Sequence, residues 1–337
     1  MGQDVGLDFM KKPWLLLPPQ WAHDLSSLAL PAYALLHGKK IPHWKSFTWR
    51  DLYFPNPVGI AGGVDKNAEH LKDWWALGCG FVEVGTVTPR AQTPNPGKIM
   101  DRDLNLQAMW NKMGFPSHGA EEVFYNLASY APNYRTPIFV NIGKNRHTPN
   151  NSAVNDYLTL VDQFRPFADA FVVNISSPNT AGLRDLQKKE NLRALISPIV
   201  ERVSHFEPTP VLVKLSPDMG DEGLAEAVSN CQELGVDGFV LTNTTLSRPE
   251  GCHFPAEGGL SGAPLKNLSK RALEVAVQTL GKKREGLLLV SVGGIMSPED
   301  VFERLQMGAD LVQIYSALVF HGPGFFHNVA RRYNDGR

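Results

Sequence analysis

Residues 174–179, which read NISSPN, contain the residue types best suited to chemistry in this chain. They follow an apolar run at 170–173, so amides and hydroxyls stand where a buried strand is predicted to end. Side-chain amides can hold an amide-bearing ring through paired hydrogen bonds, and a neighbouring serine can move a proton. A polar turn that ends a strand has the same composition. The segment alone therefore leaves a catalytic site and a simple turn both open.

Polar residues also close several other predicted strands, although an apolar strand has no packing reason to finish with lysine or asparagine. They are Lys66 after the first strand, Asn141 in the third, Asn174 in the fourth, Lys214 in the fifth, and Thr242, Asn243 and Thr244 in the sixth. Taken singly, each can be a rim residue with structural hydrogen bonds. Together on one rim, they indicate a binding site.

The elements that position these residues are eight apolar runs, predicted as strands, which alternate with seven segments of helical periodicity. The predicted strands are 58–63, 81–88, 138–143, 170–176, 211–216, 238–244, 287–294 and 311–316. The predicted helices are 67–77, 119–129, 154–164, 191–203, 221–234, 268–279 and 297–307. Continuous apolar runs are typical of strands covered on both faces. Eight such units favour an α/β fold of the (β/α)8 TIM-barrel type over a doubly wound sheet, whose glycine fingerprint is absent here.

Residues 1–45 lie outside this alternation of strands and helices. We therefore predict an N-terminal helical extension at 1–45 and the barrel domain at 46–337. Helical runs are expected around 22–30 and 31–36. No apolar run approaches the ~20 residues that span a bilayer, yet four tryptophans (14, 21, 44 and 49) fall within the first fifty residues. Tryptophan suits a membrane–water interface, and packing of the extension on the barrel explains any single one equally well.

The composition excludes several other classes of function. The chain has 337 residues, 43% hydrophobic and 20% charged, as expected of a soluble protein with a large core. A net charge of -1 provides no basic excess to neutralise nucleic-acid phosphates. The three cysteines are far apart and the ten histidines form no H-E-x-x-H motif, so we expect neither a disulfide framework nor a metal.

The last two β/α units predict a phosphate site. Glycines 293 and 294 follow the seventh strand, and Tyr315 and Ser316 follow the eighth. The loops after these strands are the usual phosphate-binding position of such barrels, because backbone N–H groups and a helix N-terminus meet there. With amides and lysines across the rim, flavin mononucleotide (FMN) suits this site. A sugar-phosphate substrate would use the same cradle.

The chain resembles the dihydroorotate dehydrogenases of class II, the membrane-associated and quinone-dependent form. The resemblance covers nearly the whole chain and rests on nine segments that are specific only together. These are AGGVDK (61–66), EVGTVTPR (83–90), NKMGF (111–115), NIGKN (141–145), NISSPNT (174–180), TNTT (242–245), GGLSG (258–262), VGGI (292–295) and QIYS (313–316).

The resemblance implies that the chain oxidises dihydroorotate to orotate in pyrimidine biosynthesis, with hydride transfer to FMN and reoxidation by a membrane quinone. It implies that Ser177 is the catalytic base. The similar cytosolic class I enzymes have cysteine there and lack the helical extension. The implied substrate-binding residues are Lys66, Asn111, Lys112, Met113, Gly114, Phe115, Asn174, Asn179, Asn243 and Thr244.

The implied FMN-binding residues are Gly62, Gly63, Val64, Asp65, Lys66, Thr86, Asn141, Asn174, Lys214, Thr242, Gly262, Gly294, Tyr315 and Ser316. The N-terminal helices would form an apolar tunnel for the quinone, with His23 and Arg102 as candidate quinone-site residues. Residues 97–101 follow the family pattern less closely, so the quinone pocket is defined less well than the flavin site. No Arg-rich, acid-poor leader is evident, so we expect a peripheral protein on the cytoplasmic face of a bacterial inner membrane.

Overall fold

The structure is a computed structural model that describes residues 12–38, 42–129, 136–205 and 208–336. Its strands are β1 (Phe47–Trp49), β2 (Leu52–Phe54), β3 (Val58–Asp65), β4 (Val82–Val87), β5 (Met100–Asp103), β6 (Ala108–Asn111), β7 (Ile138–Ile142), β8 (Ala170–Asn174), β9 (Val211–Leu215), β10 (Gly238–Leu241), β11 (Gly259–Gly262), β12 (Leu288–Val292) and β13 (Leu311–Ile314). Its helices are α1 (Pro19–His37), α2 (Leu71–Ala76), α3 (Ala120–Ala128), α4 (Ala153–Phe164), α5 (Lys189–Ser204), α6 (Gly220–Glu233), α7 (Lys266–Leu280), α8 (Pro298–Gln306), α9 (Ser316–His321) and α10 (Phe325–Asp335).

Eight parallel strands close into a barrel in the order β3, β4, β7, β8, β9, β10, β12 and β13. Every residue of β4, β7, β8, β9 and β10 is buried, because the helices cover the outer face and the inner face packs on itself. Each barrel strand coincides with one of the eight predicted apolar runs. The prediction of a TIM barrel with an N-terminal helical extension is therefore confirmed.

Aromatic packing closes the amino-terminal end of the barrel. The hairpin β1–β2 brings Phe54 edge-on to Phe81 and Phe139, with ring centroids 5.9 and 6.2 Å apart. All three side chains are fully buried. Because this end is filled by apolar rings, the polar residues at the other ends of the strands are left to form a site.

A small antiparallel sheet, β11-β6-β5, was not predicted from the sequence. Its strands have four residues each, and β6 pairs with β11, which follows about 150 positions later in the chain. Strands this short carry too little periodicity to be recognised. The sheet brings Asn111 and Gly262 to the carboxyl ends of the barrel strands.

The described part of the extension contains one α-helix, α1, where two helical runs were expected, and Pro31 lies inside it. This helix packs against α2 and β5. Its outer side exposes large apolar side chains, including Trp21 at 68%, Leu28 at 77% and Leu35 at 86%. Within the described ranges, no helix is both long and apolar enough to cross a membrane. The first eleven residues of the predicted extension lie outside the described residues.

Strand β3 continues to Asp65, two residues beyond its predicted end, and α2 starts at Leu71, later than predicted. The Asp65 carboxylate explains the difference. It accepts hydrogen bonds from the backbone N–H groups of Glu69 (2.9 Å) and His70 (3.0 Å). These bonds hold 66–70 as a loop, since a side-chain acceptor competes with helical hydrogen bonding there.

Candidate active site

One pocket lies at the carboxyl ends of the barrel strands and collects most of the residues that the sequence singled out. The predicted residues that line it are Gly62, Gly63, Lys66, Thr86, Asn111, Met113, Gly114, Phe115, Asn174, Ser177, Asn179, Lys214, Thr242, Asn243, Thr244, Gly262, Gly294, Tyr315 and Ser316. They come from distant parts of the sequence, and the closed barrel brings their strand ends together.

Four of the residues predicted for the substrate or FMN, Lys112, Val64, Asp65 and Asn141, do not line this pocket. The Lys112 side chain forms a 2.8 Å ion pair with Glu257. Val64 and Asp65 line a second, larger cavity, and the Asp65 carboxylate is occupied by the loop before α2. Asn141 is fully buried in the wall beneath the pocket.

The floor of the pocket holds a buried charged network around Glu83. Its Oε1 accepts hydrogen bonds from Lys214 Nζ at 2.8 Å and Asn141 Nδ2 at 2.5 Å. Its Oε2 accepts one from Gln313 Nε2 at 2.6 Å. A buried carboxylate and ammonium are tolerable only when they are paired, and here Glu83 pairs with Lys214 and accepts two further hydrogen bonds. The network fixes a cationic amine at the inner edge of the pocket.

Two amide oxygens in this network lack partners in the described part of the chain. Asn141 Oδ1 and Gln313 Oε1 are buried and accept no hydrogen bond there. A buried acceptor without a donor is costly, so these atoms suit a ligand that donates N–H groups. A flavin has such a group on its pyrimidine ring, and Lys214 provides a positive charge beside it. The residues present therefore fit a flavin.

At the phosphate end of the pocket, the backbone of the turn after β12 lies very close to the backbone at the start of α7. Gly294 has a φ of +67°, and a Cβ there would lie 2.3 Å from the backbone N of Lys266, the first residue of α7. Only glycine fits such a position. The start of a helix beside a glycine-rich turn is suited to bind an anion.

Arg304 supports this cradle from beneath. The side chain is fully buried and donates from Nη2 to the carbonyls of Gly293 (3.1 Å) and Lys266 (3.0 Å). Burial lowers the pKa of Arg304 to about 10, so the guanidinium stays charged at neutral pH. Its hydrogen bonds tie the turn after β12 to the beginning of α7.

An array of amides surrounds the pocket near Ser177. Asn174 Oδ1 accepts hydrogen bonds from Asn243 Nδ2 (3.3 Å) and Ser176 Oγ (3.1 Å), and its Nδ2 donates to Thr86 Oγ1 at 2.9 Å. Asn179 Nδ2 donates to Asn111 Oδ1 at 2.8 Å. The array gives a planar ring both donors and acceptors at fixed positions.

The Ser177 side chain projects into this array from the loop after β8. The residue is 5% exposed, and its Oγ accepts a hydrogen bond from the backbone N–H of Asn179 at 3.2 Å. In that bond the Ser177 oxygen is the acceptor. The hydroxyl proton is therefore not used in it and remains available for transfer. A preorganised donor of this kind also stabilises negative charge that develops on the oxygen.

Lys66 enters the pocket at the end of β3. Burial lowers the pKa of Lys66, and the negative charges of Asp65 and Glu69 partly oppose this shift. Its hydrogen-bonding partner among the described residues is His23, with Nζ 3.4 Å from Nε2. A half-buried ammonium without a carboxylate partner among the described residues is suited to an anionic ligand.

A larger cavity of about 1160 Å³ lies between α1 and the barrel. It shares several lining residues with the first pocket, including Gly63, Lys66 and Tyr315. His23 and Arg102 both line it. Burial lowers the pKa of His23 to about 4, with a further lowering from the charge of Lys66, so the imidazole is neutral. An elongated apolar molecule in this cavity would reach the edge of the barrel pocket.

Arg102 anchors the 3₁₀ turn that precedes α1. Its Nη2 contacts the backbone carbonyls of Trp14 (3.1 Å), Leu15 (2.7 Å) and Leu17 (2.5 Å). One guanidinium nitrogen thus holds a single 3₁₀ turn against β5. The remaining guanidinium nitrogens are not needed for this anchoring.

One group of potential metal ligands occurs in the described ranges, Glu69, His118 and Glu122, whose ligand atoms lie within 4.8 Å of one another. All three residues are exposed. His118 Nδ1 lies 2.5 Å from a Glu122 carboxylate oxygen, an ordinary contact one helical turn apart. This contact accounts for the grouping without an ion.

Glu83 and Gln313, which complete the floor of the pocket, were not predicted as site residues. A signal was present in each case, because each is a polar residue inside an apolar run whose neighbours are buried on both sides. A charged residue within a strand of this kind needs a partner, and here Lys214 provides it.

The comparisons with known proteins agree with this geometry. The family model described as dihydroorotate dehydrogenase matches residues 46–335. A Thermus thermophilus protein named dihydroorotate dehydrogenase (quinone) is 46% identical over 276 residues, 81% of this chain and 77% of the relative. A protein of the same name from an Anaeromyxobacter species is 41% identical over 335 residues, 96% of this chain and 90% of the relative. The ligand-free dihydroorotate dehydrogenase from Eimeria tenella superposes with a TM-score of 0.85 at 33% identity, covering 93% of each chain.

Proposed function

The chain belongs to the dihydroorotate dehydrogenase family, and on that premise we propose which residues perform the reaction. The enzyme oxidises dihydroorotate to orotate in pyrimidine synthesis, is flavin-dependent and uses a quinone as its electron acceptor. The single observation that supports the assignment of residues is the shared pocket. It places Ser177, the amide array and two lysines around one space.

The substrate is bound through its carboxylate and its ring amides. Lys66 neutralises the carboxylate, since it is half-buried and has no carboxylate partner among the described residues. The ring amides meet the side chains of Asn111, Asn174, Asn179, Asn243 and Thr244. Residues 112–115 form the adjoining loop, with Met113, Gly114 and Phe115 against the ring and Lys112 holding the loop through Glu257.

Ser177 removes the proton from C5 of dihydroorotate while a hydride leaves C6, so the ring gains its double bond and two electrons depart. A serine hydroxyl is a poor base in water. Ser177 is buried, and the N–H of Asn179 donates to its oxygen, so the negative charge that develops as the hydroxyl gives up its own proton is stabilised. The oxygen takes the C5 proton while the hydroxyl proton passes along a relay to solvent, so the serine ends the step neutral.

We assign FMN as the flavin because the pocket ends in a phosphate cradle. A bound FMN supplies the hydride acceptor that no side chain of this chain can provide. Lys214 and Asn141 would hold the pyrimidine edge, with Gly62, Gly63, Thr86, Asn174 and Thr242 around the ring. Gly262, Gly294, Tyr315 and Ser316 would hold the phosphate. Val64, Asp65 and Lys66 would support the strand end beside the ring.

The quinone would occupy the larger cavity, lined by His23 and Arg102. We propose that residues 1–45 form the extension that bounds this cavity and that the barrel domain comprises 46–337. The exposed apolar side of α1 would place the protein peripherally on the cytoplasmic face of a bacterial inner membrane.

The cofactor and the reaction are tested together. Flavin released from the purified protein by acid should have the mass of FMN, and dihydroorotate should bleach the bound flavin under anaerobic conditions. A quinone should restore the colour, whereas fumarate and a nicotinamide nucleotide should not. A colourless protein that FMN cannot reconstitute, or a flavin that dihydroorotate leaves oxidised, would overturn the proposal.

Membrane contact is tested on the apolar side of α1. Replacing Trp21, Leu28 and Leu35 with glutamine should reduce flotation with vesicles of bacterial phospholipid. Tyr125 on α3, 64% exposed, provides the control as Tyr125→Gln. Equal flotation of the triple variant and the control would contradict a membrane role for α1.

A further inference from the structure

Arg184 is a half-buried residue that the reaction as described above does not use. It lies in a 3₁₀ helix, Leu183–Gln187, seven residues after Ser177. On either side of it, Leu183 and Leu186 are 0% and 3% exposed and pack into the core. The backbone at Arg184 is therefore held in place by its buried neighbours. The guanidinium extends from a fixed position.

The three nitrogens of the Arg184 guanidinium contact three different loops. Nε donates to the Ser176 carbonyl at 2.9 Å, Nη2 donates to the Thr244 carbonyl at 3.1 Å, and Nη1 donates to Asp218 Oδ2 at 2.8 Å. The Ser176 carbonyl belongs to the peptide group that links Ser176 to Ser177. A hydrogen bond to it fixes the plane from which the Ser177 side chain projects.

Asp218 completes the connection from the loop after β9. Its carboxylate accepts hydrogen bonds from the Thr245 hydroxyl and from the backbone N–H of Leu246, the latter at 2.8 Å. Its own N–H donates to Ser216 Oγ at 3.2 Å. Arg184 and Asp218 thus join the loops after β8, β9 and β10. The first of these loops carries Ser177, and the third carries Asn243 and Thr244.

We propose that Arg184, held by Asp218, is a positioning residue for the half-reaction in which dihydroorotate reduces the flavin. The inference rests on the proposed function, because it assumes that Ser177 is the base. The ion pair sets the distance between the base on one loop and the amide and hydroxyl groups of Asn243 and Thr244 on another. The rate of proton removal depends steeply on that distance, since a misplacement of 1 Å can cost on the order of 100-fold.

A purely structural role would give a different pattern from a positioning role. Loss of fold stability alone would lower the flavin content, the melting temperature and both half-reactions together. Loss of positioning would slow only the reduction by dihydroorotate. The oxidative half-reaction uses the other cavity, which neither Arg184 nor Asp218 lines.

The test is anaerobic stopped-flow reduction of the flavin by dihydroorotate in Arg184→Gln, with reoxidation by a quinone measured separately. We expect the limiting reduction rate to fall roughly 10- to 100-fold, while orotate affinity, flavin content and reoxidation stay close to wild type. Arg202→Gln is the matched control, because Arg202 forms a comparable arginine–aspartate pair with Asp162 away from the pocket loops. It should leave all of these quantities unchanged.

Guanidinium rescue provides a second readout. Added guanidinium ion should recover part of the reduction rate in Arg184→Ala, and it should have no effect on Arg202→Ala. If Arg184→Gln does not fold, Arg184→Lys retains a charge for Asp218 but cannot bridge three loops, and it should show the same selective loss.

Two results would overturn the inference. One is a wild-type reduction rate in the Arg184 variants, and the other is a uniform loss of both half-reactions without rescue. The proposed function fails in a distinguishable way. In that case the wild-type protein and the Arg202 control would themselves not be reduced by dihydroorotate.

Discussion

The ammonium of Lys66, at the end of β3, lies 3.4 Å from Nε2 of His23 on α1. This contact joins the barrel pocket to the cavity beneath the extension, because Lys66 lines both. Its charge is available to a carboxylate on one side, and on the other it adds to the burial that lowers the pKa of His23. The first two predictions concern these two residues.

Replacing Lys66 with alanine should weaken orotate binding through the carboxylate alone. A hydrogen bond to a charged group contributes about 1.5–3 kcal/mol, so we expect a loss of roughly 10- to 100-fold in affinity. The measurement is an orotate titration that follows the flavin spectrum. Uracil, which has the ring without the carboxylate, should bind the variant and the wild type equally. An unchanged orotate titration would refute this role.

The protein should lose stability in mild acid through His23. The pKa of His23 is about 4 in the folded chain against an ordinary value of 6.5, so the unfolded chain binds more protons between these values. Its contribution to stability is complete above pH 6.5 and is lost as the pH falls toward 4. We expect a contribution on the order of 1 kcal/mol after allowance for solvent screening.

Thermal unfolding at pH 7 and pH 5 measures this effect. The difference between the two pH values should be smaller in His23→Asn than in wild type. His205→Asn is the control, since His205 is exposed on the surface and forms only a 3.8 Å contact with Glu201. The same pH dependence in His23→Asn and wild type would count against the assignment.

Breaking the buried pair beneath the pocket should destabilise the protein strongly. Lys214 and Glu83 are 2.8 Å apart, with side chains 6% and 0% exposed. Glu83→Gln leaves a buried ammonium without its counter-charge, which typically costs about 3–5 kcal/mol. Denaturant unfolding measures the loss. Glu83→Gln combined with Lys214→Met should recover part of the stability while flavin affinity stays low, and an unaltered midpoint in Glu83→Gln would contradict the prediction.

Removing the Arg102 guanidinium should impair quinone turnover and leave flavin reduction intact. Arg102→Ala frees the carbonyls of Trp14, Leu15 and Leu17, so the 3₁₀ turn before α1 loses its anchor. We expect KM for the quinone to rise about tenfold, the effect of losing roughly 1.4 kcal/mol of binding. Steady-state kinetics with a soluble quinone measure it. Lys98→Ala, which removes an exposed pair with Asp101, is the control.

The fold was readable from the sequence because each barrel strand is a continuous apolar run, and several of these runs have a polar end. The site followed from the same feature, since parallel strand ends must meet at one rim. Lys66, Asn174 and Lys214 were identified in this way and do line one pocket. The roles assigned to individual residues came from the family resemblance and remain predictions.

What the sequence did not reveal depends on contacts between distant segments. Glu83 and Lys214 are 131 positions apart, and Arg184 and Asp218 lie on different loops. Local periodicity carries no information about such pairs. The ion pair between Lys112 and Glu257 is another contact of this kind, and the role of Lys112 in substrate binding stays a prediction.

The central claim is that Ser177 is the base, and the most direct measurement is the rate at which dihydroorotate bleaches the flavin of Ser177→Ala. A general base contributes about 100- to 10,000-fold, so the account predicts a fall of at least roughly 100-fold with flavin and orotate still bound. Ser204→Ala, an exposed serine at the end of α5, should react at the wild-type rate. Bleaching of Ser177→Ala at the wild-type rate would contradict the account.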